Sequence, residues 1–119
     1  MAEEDATRVL GEYYEGYGRE VLCPSCGFNY THPYQVDVRQ LTWKATISGL
    51  GATVSKYRNE PGHRGSEVVV HFYCEGGCTF TMTMVFHKGM TYFIRTVGAP
   101  LPISERDGTP VAPHELERG

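Results

Sequence analysis

The fold of this chain is decided by one stretch of sequence, Val68-Val-Val-His-Phe-Tyr-Cys74-Glu-Gly-Gly-Cys78-Thr-Phe-Thr-Met-Thr-Met84. On both sides of the cysteine pair, side chains alternate in character with the two-residue period of a β-strand that has two different faces. The two glycines between the cysteines favour a tight turn. The stretch therefore predicts two strands joined by a turn that carries two thiols.

A second cysteine pair lies upstream, in the sequence Cys23-Pro-Ser-Cys26-Gly27. Two intervening residues let both sulfurs face one metal ion, backbone amides in such a turn point at the sulfurs, and Gly27 permits the tight exit. The acidic start of the chain shows no secretory signal, so we expect a cytoplasmic location, where patterned cysteines favour metal over disulfides. We predict one structural zinc ion with four ligands, Cys23, Cys26, Cys74 and Cys78.

Other interpretations of the cysteines fit less well. They could be buried or free thiols, and a redox Cys-x-x-Cys pair would normally open a helix, whereas Gly27-Phe-Asn-Tyr30 favours a strand. Four thiolates saturate a tetrahedral shell and leave no position for water or substrate. No histidine is followed two residues later by glutamate, as in zinc deaminases. We therefore expect no enzymatic activity and no small-molecule substrate.

Alternation predicts further strands upstream. It runs from Phe28 to Arg39, where Pro33 predicts an edge position or a bulge because proline lacks a backbone donor. Threonine and isoleucine favour a strand over residues 41–48, followed by a break at Gly49-Leu-Gly51. An alternative helical spacing is present in the same region at Trp43, Ile47, Leu50 and Val54.

A hairpin turn is predicted at His87-Lys-Gly89, with the glycine in a left-handed conformation. Together these patterns predict a mostly-β fold, an antiparallel sheet of about five or six strands with an embedded zinc ribbon made of two cysteine turns.

The chain divides into three segments by composition. Residues 1–19 are an acidic arm or a short helix, residues 20–97 are the zinc-ribbon β domain, and residues 98–119 are a proline-rich extended tail, which we expect to be loosely attached. The helix is suggested by spacings of three and four residues, at Ala6, Val9, Leu10, Tyr13, Tyr14 and Tyr17.

The charge distribution argues against strong nucleic-acid binding. The whole chain carries −3, and residues 21–97 hold seven basic and four acidic groups, a balance of +3. Four thiolates and one dication would add −2 and leave about +1. A clear basic stripe, the usual mark of phosphate binding, is missing from the sequence. No apolar run approaches the ~20 residues that cross a bilayer, so we expect no membrane partner.

Several side chains are candidates for a binding surface or for support of the metal. Aromatic and basic residues could stack on bases or meet phosphates, although most aromatics at alternating positions belong to a core. His32 and His71 could hydrogen-bond a metal-bound sulfur, or be partly buried strand histidines. The candidate surface residues are Trp43, Lys44, Lys56, Arg58, Arg64, Lys88 and Arg95.

The run from Arg64 to Cys78, the run Phe86-His-Lys-Gly-Met-Thr-Tyr-Phe93 and the first cysteine turn resemble a group of small zinc-ribbon-like proteins encoded by bacterial phages, prophages and other mobile elements. The likeness covers roughly residues 20–95. It is specific for the metal site and unspecific for activity, and it implies a phage origin. The second turn departs from the pattern, because it has three intervening residues where two are commoner.

Two functions remain open at this point. The first is a non-enzymatic module that binds a host or phage protein through sheet, loop or tail surface. The second is a zinc ribbon that binds nucleic acid through the basic and aromatic residues of the middle segment. The charge balance favours the first.

Overall fold

The computed structural model describes residues 10–16, 18–56 and 66–113, without the side chains of Glu12 and His87. All regular elements in this part of the chain are strands. They are β1 Leu10–Tyr14, β2 Gly18–Val21, β3 Thr31–Arg39, β4 Trp43–Ser48, β5 Gly51–Lys56, β6 Ser66–Cys74, β7 Thr79–His87 and β8 Met90–Val97. None of these elements is a helix that could cross a membrane.

Six strands form one antiparallel sheet in the order β5-β4-β3-β6-β7-β8, and β1 and β2 form a separate hairpin. The long strands β3 and β6 pair along most of their length in the middle of the sheet. Both lie next to a cysteine turn; we call this end of the sheet the metal end, after the predicted ion, and the opposite end the far end. The predicted mostly-β fold and its number of strands are confirmed.

Turn chemistry fixes the two outer hairpins. Lys88 and Gly89 have φ angles of 51° and 76°, so the β7–β8 turn uses two left-handed residues, as twisted two-residue hairpins prefer. Gly51 begins β5 with a φ of 132° after the turn at residues 49–50. Both turns were predicted from their glycines, and strand is confirmed over helix for residues 43–48.

Pro33 lies in a central strand rather than at an edge. The β3–β6 register shifts between Pro33 and Gln35, which is the bulge that the missing donor predicted. Pairing of β3 with β4 begins only at Gln35, so no hydrogen bond to β4 requires the backbone N–H that Pro33 lacks. The bulge also breaks the alternation, because His32 and Tyr34 do not share a face with Val36 and Val38.

The predicted N-terminal helix is wrong for the described residues. Leu10–Tyr14 pairs with Gly18–Val21 as an antiparallel hairpin. Gly16 and Gly18 have φ angles of 85° and 93°, which an α-helix excludes and a tight turn requires. Tyr13 and Tyr14 also favour strands. Ala6, Val9 and Tyr17, which completed the helical spacing, lie outside the described residues.

The register gives the six-stranded sheet one mostly apolar face and one face of mixed character. We call one side the apolar face; it carries Val36, Val38, Trp43, Ala45, Ile47, Ala52, Val54, Val68, Val70, Phe72, Phe80, Met82, Met84, Phe86 and Phe93. We call the other the polar face, after its polar residues Gln35, Asp37, Arg39, Lys44, Thr46, Glu67, His71, Thr81 and Thr83. It also carries Val69, Tyr73, Val85, Tyr92 and Ile94.

The tail is attached, contrary to expectation, over residues 98–113. Gly98 N–H donates to the carbonyl of Thr79 at 2.9 Å, and Leu101 N–H donates to the carbonyl of Gly77 at 2.8 Å. The tail then turns back on itself through a bridge between Ile103 and Pro110. The proline and charge content predicted a loosely attached tail, but the N–H groups of Gly98 and Leu101 bond to residues at the second cysteine turn.

The tail covers part of the polar face. One cleft of about 400 Å³ is lined by Tyr73 of the sheet and by Thr109 and Pro110 of the tail. A second cleft of about 260 Å³ lies between Tyr34 and Pro113. The tail therefore runs from the metal end across the side of the sheet that carries the polar residues.

The best-buried part of the fold lies at the metal end. Cys23, Cys74 and Phe80 form its centre, and Val21 of β2 packs against them. The rings of Phe72 and Phe80 stack with centroids 5.0 Å apart. The β1–β2 hairpin thus covers the metal end of the apolar face, and its contact with the sheet runs through the residues that flank the cysteines.

Candidate metal centre

The four cysteines meet in one cluster. Their Sγ atoms all lie within 4.8 Å of one another, and Sγ of Cys26 is 3.6 Å from Sγ of Cys74. Tetrahedral ligands at about 2.3 Å from a zinc ion would be about 3.8 Å apart, whereas a disulfide would need about 2.05 Å. All four thiols are free. The cluster therefore has the dimensions of a four-coordinate metal site, as the sequence predicted.

Two backbone hydrogen bonds close the first turn. Gly27 N–H donates to the carbonyl of Cys23 and Cys23 N–H donates to the carbonyl of Phe28, both at 2.9 Å. Gly27 has a φ of 75°, so the exit from the turn needs a residue without a Cβ penalty. The turn presents both of its sulfurs on one side.

The second turn is closed by a similar pair of bonds but is one residue shorter. Gly77 N–H donates to the carbonyl of Cys74 and Cys74 N–H donates to the carbonyl of Cys78, both at 2.9 Å. Gly77 has a φ of 94° and corresponds to Gly27. In the first turn Cys26 comes immediately before the left-handed Gly27, whereas in the second turn Cys78 comes immediately after the left-handed Gly77. This shift adds two residues to the spacing and the shorter turn removes one, so three residues lie between Cys74 and Cys78.

Other bonds join the two turns to each other. Glu75 N–H donates to the carbonyl of Tyr30 at 3.2 Å, and Thr31 is paired with Cys74 at the start of the β3–β6 ladder. The hydroxyl of Thr31 donates to the carbonyl of Val21 at 2.9 Å. The ligands thus lie at the junction of β2, β3 and β6.

The thiols need a cation to become ligands together. Burial raises the pKa of Cys78 to about 12, and the neighbouring thiol of Cys74 adds to the effect. Burial also opposes ionisation of Cys74, but hydrogen bonds from the backbone of Cys78, from Cys26 and from the backbone of Gly76 lower the pKa of Cys74 overall. A site in which one thiol ionises readily and another resists it suits a bound cation, which would compensate the remaining charges.

Burial of the ligands is uneven. Cys74 and Cys23 are buried, Cys78 is half-buried and Cys26 is exposed. Four thiolates around one ion leave no position for a substrate. Chemically, the arrangement can hold two distant parts of the chain together, and its solvent-facing ligand is Cys26.

The two predicted histidines have carboxylate partners at Nε2. His32 is 2.9 Å from Oε2 of Glu75 and stacks on Tyr73, with ring centroids 5.0 Å apart. His71 is 2.8 Å from Oδ2 of Asp37. These bonds place both rings on the polar face near the metal end, and a hydrogen bond from either ring to a sulfur stays a prediction.

Apart from the pair Trp43 and Lys56, the candidate surface residues do not come together. Trp43 and Lys56 are opposite each other at the far end of the apolar face, Lys44 is on the polar face and Lys88 is in the β7–β8 turn. Arg95 is wrong as a surface residue, because only 1% of it is exposed. Its Nη1 donates to the carbonyl of Leu22, the residue that follows β2. Arg58 and Arg64 lie outside the described residues.

Sequence reasoning missed a polar cluster around Asp37. This carboxylate is buried, accepts a hydrogen bond from Nε2 of Gln35 at 3.0 Å and faces His71. Hydrogen bonds from His71, Gln35 and Thr46 outweigh desolvation, so the pKa of Asp37 lies below its usual value. The alternation of Gln35, Asp37 and His71 on predicted strands was a signal, but pairing them required the register across the bulge.

No family model matches this chain, and neither the curated proteins nor the solved structures contain a significant match. The functional interpretation therefore rests on the cysteine cluster and on the surface of this chain.

Proposed function

We propose that this protein is a non-enzymatic binding module, stabilised by one zinc ion, that binds protein chains through the apolar face of its six-stranded sheet. The observation that carries this proposal is the openness of that face. Trp43, Ile47, Met84, Phe86 and Phe93 are each between 39% and 41% exposed, and Val54 is 73% exposed. An exposed apolar patch of this extent on a folded domain is typical of an interaction surface.

The covering of the sheet supports the same conclusion. The tail shields part of the polar face, whereas the described residues leave the far half of the apolar face open. A lone domain would gain more from covering the more continuous apolar face, because burial of apolar area is the main favourable contribution to folding. An apolar face left open while a polar face is covered is reasonable when a partner supplies the missing layer.

A shallow groove crosses this face beside the β1–β2 hairpin. It has a volume of about 170 Å³, and its walls are almost entirely apolar, with Val21, Phe72, Met82, Met84 and Phe93 among the lining residues. Methionine side chains adapt to different shapes, which suits a protein-binding surface. The groove offers a pocket for an apolar side chain of the partner.

Zinc is the metal that best suits the ligand set. Four thiolates in tetrahedral geometry hold zinc or iron, and zinc is the usual structural ion in paired cysteine turns. When bound, it would clamp residues 23–26 against residues 74–78. Elemental analysis of protein purified without chelators should find one zinc per chain and less than stoichiometric iron. Iron in place of zinc, or no metal, would reject this part of the proposal.

Binding through the apolar face can be tested with a photo-crosslinking amino acid at one of two neighbouring positions in β5. Positions 54 and 53 are both exposed, but Val54 belongs to the apolar face and Thr53 points to the other side. In cells that express the protein, position 54 should yield adducts to protein and position 53 should not. Equal yields, or none from position 54, would contradict the proposal.

Nucleic-acid binding is the second candidate function. It is favoured by one observation, that Trp43 lies opposite Lys56 on adjacent strands, so a stacking ring and a cation are side by side on the surface. Fluorescence titration with single- and double-stranded DNA and RNA at two salt concentrations tests it. Micromolar or tighter binding that weakens with salt, and that Lys56→Gln reduces, would support nucleic acid.

A further inference from the structure

We propose that the apolar face is covered by a second copy of this chain, so that two sheets pack face to face about a two-fold axis as a β-sandwich. The inference rests on the proposed function, because it names the partner of the same surface. Two sheets with apolar inner faces pack in this way at about 10 Å separation.

The register shows that the face is continuous. One row crosses all six strands and contains one apolar residue from each: Phe93, Met84, Val68, Val38, Ala45 and Val54. The next row towards the metal end contains Met82, Val70, Val36, Ile47 and Ala52. Side chains standing in such rows can interdigitate with an identical set from a facing sheet.

The exposed area is close to what a dimer needs. Six large side chains of the apolar face are at least 39% exposed. With roughly 150–250 Å² for each large side chain, they contribute on the order of 500 Å². The half-buried valines and Met82 between them add to this. A standard interface buries about 800 Å² on each partner, so this face alone supplies most of that area.

Charge also permits self-association. An interface about a two-fold axis brings each residue near its own equivalents, so a charged patch would repel itself. Within the described ranges, Lys56 at the far corner is the one exposed charged side chain on this face, because Arg95 is buried. The rest of the face, within those ranges, exposes no charged side chain, so it can pack against its own copy without oppositely charged residues across the interface.

The β1–β2 hairpin limits where the second copy can lie. Val21 packs against the same buried cluster as Phe72 and Met82 and lines the groove with them, so the hairpin already occupies the metal end of the face. The far half of the face, around Met84 and Val54, is the part that remains for the second sheet. The partner would therefore continue the layer that the hairpin begins, and each metal end would stay outside the centre of the interface.

The test is the mass of the zinc-loaded full chain by sedimentation velocity over a dilution series, with three variants. The wild type should sediment as twice the chain mass of 13.3 kDa. Met84→Glu and Val54→Glu should weaken the dimer by roughly tenfold or more, because each places two like charges in an apolar interface. Thr53→Glu, the neighbouring position on the other face, should leave the dimer unchanged. Zinc content and circular dichroism confirm that each variant is folded.

The outcomes separate this inference from the proposed function. A wild-type monomer throughout the series rejects the second copy. If position 54 then still crosslinks to a different protein, the proposed function stands with another partner; if it crosslinks to nothing, both fail. A dimer that Met84→Glu and Val54→Glu leave intact places the contact on another surface and also overturns the inference.

Discussion

Nη1 of Arg95 donates a hydrogen bond of 2.9 Å to the carbonyl oxygen of Leu22, the residue immediately before Cys23, the first cysteine of the cluster. Arg95 is in β8 and is buried, so this bond fixes the first cysteine turn to the outer strand of the sheet. Its positive charge is also close to a centre whose four thiolates and one dication would sum to −2. A residue far from the cysteines in sequence therefore helps to orient one of them.

Arg95→Met should destabilise the zinc-loaded protein by about 2 kcal/mol, because the carbonyl of Leu22 loses a charged donor in a buried position. Urea unfolding with zinc present measures this difference. Arg19→Met is the matched control, since Nη1 of Arg19 donates to the carbonyl of Gly11 at 3.2 Å in an exposed position. The control should change the free energy of unfolding by at most about 0.5 kcal/mol. Equal effects of the two variants would show that Arg95 has no special role.

Removal of the metal should unfold the domain. The two turns are joined through the ligands, and structural zinc in small domains contributes on the order of 10 kcal/mol of apparent binding energy. Treatment with a chelator, or the substitution Cys74→Ser, should abolish the cooperative thermal transition seen by circular dichroism. Readdition of zinc should restore the transition after chelation but not in the variant. A chelated protein with unchanged melting would contradict the prediction.

Gly77→Ala should cost more stability than Gly108→Ala. Both glycines have left-handed φ angles, 94° and 70°, so both substitutions carry the same kind of backbone strain, about 1 kcal/mol. A Cβ at Gly77 would also lie 3.0 Å from Cγ of Pro110, whereas a Cβ at Gly108 would meet nothing within 4 Å. We expect Gly77→Ala to cost about 1 kcal/mol more, measured by urea unfolding.

The contact between Gly77 and the tail can be isolated by a double-mutant cycle. Pro110→Ala removes the ring carbon that the new methyl group would approach. The additional cost of Gly77→Ala should therefore shrink in the Pro110→Ala background. Additive effects would indicate that the tail does not lie against the second cysteine turn in solution.

Asp37 should make stability depend on pH in the acid range. Desolvation opposes its charge, but the hydrogen bonds from His71, Gln35 and Thr46 hold its pKa below the usual value near 3.8. A carboxyl whose pKa is lower in the folded than in the unfolded state contributes stability fully above the unfolded value. That contribution is lost as the pH falls through the folded value.

Asp37→Asn tests this dependence. At pH 7 the variant should be less stable by about 1–3 kcal/mol, because His71 loses its charged partner and Arg39, whose Nη2 is 3.9 Å from Asp37, loses a nearby carboxylate. The difference from the wild type should shrink as the pH falls below about 4, where the carboxyl of the wild type takes up a proton. Unfolding is compared at each pH where both proteins retain zinc. A difference that grows as the pH falls below about 4 would have the wrong sign.

Short-range sequence signals predicted much of this molecule. The cysteine spacing identified the ligands because a turn of two or three residues is enough to bring two sulfurs together. Gly89 and Gly51 indicated turns because glycine, which has no Cβ, readily adopts the positive φ angles found at these two positions. Pro33 marked the bulge because the missing donor is a property of that residue alone.

The features that the sequence did not reveal depend on contacts between distant segments. Leu10, Tyr13 and Tyr14 fit helical spacing, but β1 is formed by pairing with β2. The spacing of residues within one segment does not show which other segment it pairs with. Prolines in the tail suggested mobility, although Leu101 is bonded to Gly77. Arg95 was assigned to the surface because arginine is rarely buried. Its position followed only from the register of β8 and its bond to the carbonyl of Leu22.

The pairing of Thr31 with Cys74 has a consequence for the order of assembly. These residues are the first rung of the β3–β6 ladder, and the chain between them is long enough to slow an unaided search for the correct register. Once an ion joins the two cysteine turns, the remaining rungs can close in sequence from that rung towards Arg39 and Glu67. During folding the metal would then hold β3 and β6 in register, as a short hairpin loop does for two strands that follow each other in the chain.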